Sequence, residues 1–223
     1  MNRRLLALLL LTLSLGLASA ARAQEYMYDA GLGLGMSTAY GDINQSKLFY
    51  NPGLAVEATF RYKYNLRWAF TGELLSAGLA GDSRDFSNQF PAEAEYRFAS
   101  RLWQLSGNAE SNFFNYGIGA TYRNLRSITP FISVGVGLGA VSGDGSGFSF
   151  SIPLGVGLKY RFAPRWNLTA KLSFAKTFND KADGIRDPYD IESSGAKNTD
   201  WYSTLSLGVS YEFGARRRIC NNL

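Results

Sequence analysis

The chain has 223 residues, 46% of them hydrophobic and 18% charged, too apolar for a disordered chain and too lightly charged for a long coiled coil. It contains no histidine, which removes His-based triads, His-metal sites and imidazole acid–base catalysis, and its one cysteine, Cys220, excludes an intrachain disulfide or a Cys-cluster zinc site. The formal charge of +5 is concentrated near the two ends and leaves a near-neutral body, so no nucleic-acid footprint is expected.

Met1-Asn2-Arg3-Arg4, the apolar run Leu5–Leu17 and the small residues Ala18 to Ala23 read as a secretory signal peptide over 1–23. Cleavage after Ala20 competes with cleavage after Ala23, and Ala23 is favoured. As a membrane anchor the apolar run is too short, since a helical span needs about 20 residues. Without Arg3, Arg4 and Arg22 the charge falls to +2, and Arg216, Arg217 and Arg218 then sit together in the tail.

From residue 25 onward the pattern alternates with period 2, the signature of strands with two different faces. Strands are predicted at about 25–40, 54–64, 67–80, 97–112, 130–142, 148–161, 165–178 and 201–213. The clearest are the sixth and eighth. Phe148, Phe150, Ile152, Leu154, Val156, Leu158 and Tyr160 oppose Ser149, Ser151, Pro153, Gly155, Gly157, Lys159 and Arg161. Leu205, Leu207, Val209, Tyr211 and Phe213 likewise oppose Thr204, Ser206, Gly208, Ser210 and Glu212. Soluble strands usually run about five or six residues, whereas strands of ten or more suit a tilted crossing of a bilayer core of about 25–30 Å. Gly31, Gly33, Gly35 and Gly135, Gly137, Gly139 fall on one face each, where small residues let a narrow barrel close around larger side chains.

The connections alternate too. Tight turns around Asn65-Leu66-Arg67 and Ala163-Pro164-Arg165 are expected at one end, with long polar loops 41–53, 81–96 and 179–199 at the other. That is the asymmetry of short periplasmic turns and long outside loops; the short outside loop 143–147 and the long periplasmic connection 113–129 depart from it. Aromatics gather at strand ends: Tyr26, Tyr28, Tyr62, Tyr64, Trp68, Tyr160, Phe162, Trp166, Tyr211 and Phe213 at the inner rim, Tyr40, Phe148, Phe178 and Trp201 at the outer. The polar face carries Glu57, Arg61, Lys63, Glu73, Glu110, Lys159, Lys171 and Glu212. A soluble lipocalin-type barrel would show these to water; a membrane barrel would turn them inward as an ion-paired plug. Strand length, the aromatic belts and the final Tyr211-Glu212-Phe213 favour the second. The expectation is therefore an all-β, eight-stranded antiparallel transmembrane β-barrel of OmpA/Opa-like architecture in the cell outer membrane. Its parts are a barrel domain over 24–214 and a basic periplasmic tail over 215–223.

Motifs that suggest chemistry have plainer readings. The Gly-x-Gly-x-Gly runs are followed by no helical period, so they read as barrel interior rather than nucleotide loops. Asp183, Asp187, Asp190 and Glu192 match no ordered calcium loop and read as a solvated acidic segment. Gly81-Asp82-Ser83-Arg84-Asp85 reads as turn chemistry. Glu73 and Glu110 could be an acid–base pair but read as structural charges inside a narrow barrel. No catalytic residue, cofactor, metal or small-molecule substrate is expected, and eight strands leave no open pore. Function is then expected at the water-exposed ends. On the periplasmic side the candidate partner-binding residues are Tyr116, Arg123 and Arg126 in the long connection and Arg216, Arg217 and Arg218 in the tail, whose guanidinium groups suit an acidic partner or anionic headgroups.

Six motifs in order, Gly41-Asp42 with Leu48-Phe49-Tyr50-Asn51-Pro52, Gly81-Asp82-Ser83-Arg84-Asp85-Phe86, Asn112-Phe113-Phe114-Asn115-Tyr116-Gly117, Thr129-Pro130-Phe131-Ile132, Asp187-Pro188-Tyr189 and Lys197-Asn198-Thr199-Asp200-Trp201-Tyr202, resemble the small PorG-related barrels of Bacteroidetes-type bacteria. The resemblance spans nearly all of 25–213. It implies a structural or accessory part in type IX secretion, anchoring or aligning a periplasmic ring formed by the lipoprotein PorK and by PorN. The alternative is a surface-binding or membrane-integrity barrel of OmpA or Opa type acting through loops 41–53, 81–96 and 179–199.

Overall fold

A computed structural model describes residues 26–40, 51–82, 97–117, 125–143, 147–178 and 201–215. Eight strands follow one another: β1 (Tyr26–Tyr40), β2 (Gly53–Lys63), β3 (Trp68–Asp82), β4 (Arg97–Asn112), β5 (Ile128–Gly143), β6 (Gly147–Ala163), β7 (Trp166–Thr177) and β8 (Trp201–Ala215). Each pairs antiparallel with the next, and β8 returns to β1 from Tyr26↔Ala215 to Tyr40↔Trp201, so the sheet closes without a free edge. The shortest strand, β2, has 11 residues; at a rise of about 3.4 Å and a tilt of about 40° it covers about 26–29 Å along the axis, the thickness of a hydrocarbon core.

Observed bounds depart from the predicted ones by at most a few residues. β3 runs to Asp82 and β8 to Ala215, while β5 and β6 start and end further out than their apolar alternation reaches. The difference has one cause: ladder hydrogen bonds continue where side chains have turned small or polar at the rims. Segments 1–25, 41–50, 83–96, 118–124, 144–146, 179–200 and 216–223 lie outside the described residues, and with them the leader, the acidic loop, Arg123, the tail arginines and Cys220.

Strand parity sets the two faces. Outward positions carry the apolar residues: Leu32 is 71% exposed, Leu138 68% and Phe148 86%. Inward positions carry the charged residues, buried without access to bulk water: Arg61, Glu110, Lys159 and Glu212 among them. Such an inside-out arrangement is unstable in water and stable in a bilayer, which excludes the lipocalin-type alternative. The predicted glycine rows face inward. A Cβ built on Gly157 would meet the Phe131 ring at 2.6 Å, and one on Gly33 would meet Glu57 Cγ at 2.7 Å. Glycine thus makes room for an aromatic ring at one place in the bore and a carboxylate arm at another. Gly157→Val is expected to lower stability by about 1–3 kcal/mol through overpacking, read as a shift of the urea midpoint for the barrel refolded in lipid vesicles.

Candidate functional site

The interior is built in layers. Nearest the end where β1 begins and β8 finishes, Arg61 Nη1 donates to both oxygens of Asp29 at 2.8 and 2.9 Å, and its Nε donates to Glu110 at 2.8 Å. Glu110 also accepts from Lys159 Nζ at 2.6 Å and from the Thr71 hydroxyl at 2.7 Å. Beside this group Lys63 and Arg161 both donate to Glu212. Further along the bore, Lys171 bridges Glu57 at 3.0 Å and Glu73 at 2.6 Å. Five carboxylates (Asp29, Glu57, Glu73, Glu110, Glu212) thus face five cations (Arg61, Lys63, Lys159, Arg161, Lys171), a balance that burial in a low-dielectric bore requires.

Toward the long-loop end the lining turns apolar. Leu75, Leu79, Leu102 and Val141 pack with Ala55, Ala77, Ala175 and Tyr202. Tyr202 closes this layer from below, donating its hydroxyl to Gln104, which also accepts from Ser151 at 2.8 Å. All eight charged residues expected on the polar face do point inward. Asp29 was absent from that expected set, although its parity with Gly31, Gly33 and Gly35 places it there. The apolar layer had no sequence signal, because a leucine on the inner face looks like a break in alternation.

At the opposite, turn-bearing end, the connection between β4 and β5 folds across the mouth. Tyr116 N–H donates to the Leu66 carbonyl at 3.4 Å, Phe114 N–H to the Thr129 hydroxyl at 3.1 Å, and Arg67 Nε to Asn115 Oδ1 at 3.2 Å. Gly117 N–H donates to the Arg126 carbonyl at 3.1 Å and Arg126 N–H to the Asn115 carbonyl at 2.8 Å, closing the two arms of the connection on each other. Tyr116, expected on the partner-facing surface, instead turns into the mouth and is only 8% exposed. Its hydroxyl donates to Asn167 at 2.7 Å, Asn167 donates to Glu212 at 3.0 Å, and the Arg161 guanidinium lies over its ring. Burial raises the Tyr116 hydroxyl above its ordinary pKa, so it stays a donor throughout the physiological range. Tyr116 is therefore a latch between the connection and the plug, and the surface available to a partner is left to its neighbours.

Those neighbours are Phe113, 57% exposed, Phe114, and Arg126, whose guanidinium sits 4.2 Å from the Phe114 ring centre. Arg165 lies on the same rim, held by the Tyr26 and Tyr211 hydroxyls at 2.8 and 2.9 Å; these bonds raise its pKa further. Arg67, Arg126 and Arg165 are the charged residues of this rim among the described residues, and all are positive. No group of three or more metal-ligating side chains occurs among the described residues. Aromatic rings circle the rim, with Tyr28 stacked at 5.8 Å on Phe213 and 5.6 Å from Tyr62, and Trp166 edge-on to Tyr211 at 5.1 Å.

A family model described as "Outer membrane protein beta-barrel domain" matches residues 5–213. The chain belongs to this outer-membrane β-barrel family. No curated protein matches it in sequence. Among solved structures it is similar to Neisserial surface protein A, at 14% identity over 83% of this chain and 97% of that one, with a TM-score of 0.53. It is also similar to OprG of Pseudomonas aeruginosa, at 9% identity over 88% and 100% of the two chains, with a TM-score of 0.50. At such identities the likeness speaks for fold alone, and the fold agrees: a closed antiparallel barrel of eight strands in the cell outer membrane. In barrels of this family the short turns face the periplasm and the long loops the outside. The rim carrying Arg67, Arg126 and Arg165 is accordingly the periplasmic one.

Proposed function

We propose that this outer-membrane barrel is a non-enzymatic anchor for a periplasmic ring of the type IX secretion system, docking PorK- and PorN-like proteins at its periplasmic rim. What carries the reading is the connection between β4 and β5, latched across the mouth by Tyr116 so that Phe113, Phe114 and Arg126 form a fixed platform. A bore filled with paired side chains gives transport no route, so the work falls to the ends. The resemblance of the ordered motifs to PorG-related barrels supplies the partner class. The leader 1–23, removed after Ala23, delivers the chain through the inner membrane. The tail with Arg216, Arg217 and Arg218, together with Arg123 and Arg126, supplies cationic contacts for an acidic ring surface.

Detergent pull-down of the tagged protein from native outer membranes, followed by mass spectrometry, is expected to enrich ring lipoproteins and other secretion components over bulk porins. Recovery of the barrel alone would overturn the reading. Deleting 117–127 and replacing Arg216–Arg218 by glutamine is expected to abolish the enrichment while leaving the barrel in the membrane. Unchanged association would remove the rim from the interface.

A further inference from the structure

The glycines of this barrel divide into two kinds. Those on the inner face make room for interior side chains, as Gly33 and Gly157 do. Gly72 on β3 and Gly107 on β4 face outward and are paired with each other. A Cβ built on Gly107 would meet nothing within 4 Å, and one on Gly72 would meet the Phe60 carbonyl at 3.9 Å, an ordinary contact. Packing within the chain therefore asks for no glycine at either position. What the pair creates is a hollow in the lipid-facing wall.

The ladders give its shape. One row across the strands reads Phe60, Gly72, Gly107, Val136, and the next toward the periplasm reads Phe70, Ala109, Val134. Between these rows lies a depression of about 560 Å³. A second, of about 370 Å³, continues it past Ala109 and Ser111 to Trp68 and Ile132. The two share Ala109 and Val134, so they form one groove. Its floor is the outer face of β4, and its walls are aromatic rings of β3 and branched side chains of β5. Beyond the glycine pair, Leu74 and Leu105 are paired and close it with full side chains. The groove thus runs from the aromatic belt of the periplasmic rim to the level of Val136 at mid-bilayer, the depth of one leaflet.

At its periplasmic end stands a cation. Arg67 directly precedes Trp68, and its carbonyl accepts the Asn112 N–H at 2.6 Å, which fixes it at the head of β4. Asn115 Oδ1 takes its Nε–H at 3.2 Å, and the exposed guanidinium keeps further donors for the headgroup layer. We infer that the groove is a binding site for an anionic phospholipid of the periplasmic leaflet. One acyl chain lies in the groove over Gly107, and the phosphate meets Arg67 at the rim. The bilayer already covers this face; an apolar groove one leaflet deep with a positive charge at its mouth selects which of its molecules stays. The site uses none of Phe113, Phe114 and Arg126, so it stands apart from the ring-anchor reading.

The full-length barrel in mild detergent, incubated with palmitoyl-oleoyl phosphatidylglycerol and analysed by native mass spectrometry, tests it. Wild type is expected to retain the lipid. Gly107→Leu fills the groove and is expected to lower the bound fraction about tenfold, and Arg67→Gln about threefold. Val209→Leu, an outward exchange on β8 away from the groove, is expected to bind as wild type does. Because the added side chain enters open space, Gly107→Leu should keep the wild-type urea midpoint in lipid vesicles and the wild-type heat-dependent gel mobility. Ala109→Leu fills the same floor and keeps the test decisive should Gly107→Leu not fold. Equal retention by wild type and a folded groove-filled variant would overturn the inference. So would a dimer of the wild-type barrel that Gly107→Leu dissociates, since the occupant would then be a second copy.

Discussion

Arg61→Met should destabilise the refolded barrel by about 3–5 kcal/mol, because it leaves buried carboxylates without their counter-charge. The geometry says which one suffers. Glu110 keeps Lys159 at 2.6 Å and the Thr71 hydroxyl, whereas Asp29, among the described residues, keeps Lys63 at 3.9 Å. Adding Asp29→Asn to Arg61→Met should therefore recover a substantial part of the loss, and adding Glu110→Gln should recover less. The urea midpoint in lipid vesicles, followed by tryptophan fluorescence and by the mobility of unheated samples on gels, reads all three variants. If Arg61→Met matched wild type, the paired plug would have to be abandoned as a source of stability.

The second large effect lies on the other face. Val136 is an outward residue in the middle of β5, and Val136→Arg should cost about 2–4 kcal/mol at the bilayer midplane. Phe148→Arg, at the outer rim, should cost about 0–1 kcal/mol although it removes the most exposed large apolar side chain. Depth, not exposure, is the discriminating variable. A barrel that faced water would be indifferent to, or improved by, both changes. Refolding yields into vesicles of defined thickness distinguish the two cases.

Much of this was legible because a strand has period 2 and a membrane reverses the usual sense of its faces. Lys159 and Arg161 against Leu158 and Tyr160, or Glu212 between Tyr211 and Phe213, declare the inner face without any tertiary information. The aromatic rims were equally plain, since Trp166 opens β7 after a turn and Tyr211 is paired with it near the end of β8. The apolar layer was not. Leu75 follows Leu74 and both look lipid-facing, yet the ladder turns Leu75 inward to pack with Leu102 and Val141. Tyr116 was hidden for another reason. The connection 113–129 has no periodicity from which a facing direction can be read, and the partner that buries its hydroxyl, Asn167, is 51 residues away. Local pattern gave the walls of the barrel; what closes its two ends depends on contacts between distant strands.

The proposed anchor role requires that the barrel work at its periplasmic rim. A photo-activatable residue at position 126, exposed and beside the Phe114 ring, tests it in living cells against the same residue at position 148 on the outer rim. Adducts with periplasmic ring proteins from position 126, and none from position 148, are the predicted result. Protein adducts from position 148 with none from position 126 would contradict it and move the function to the outside loops.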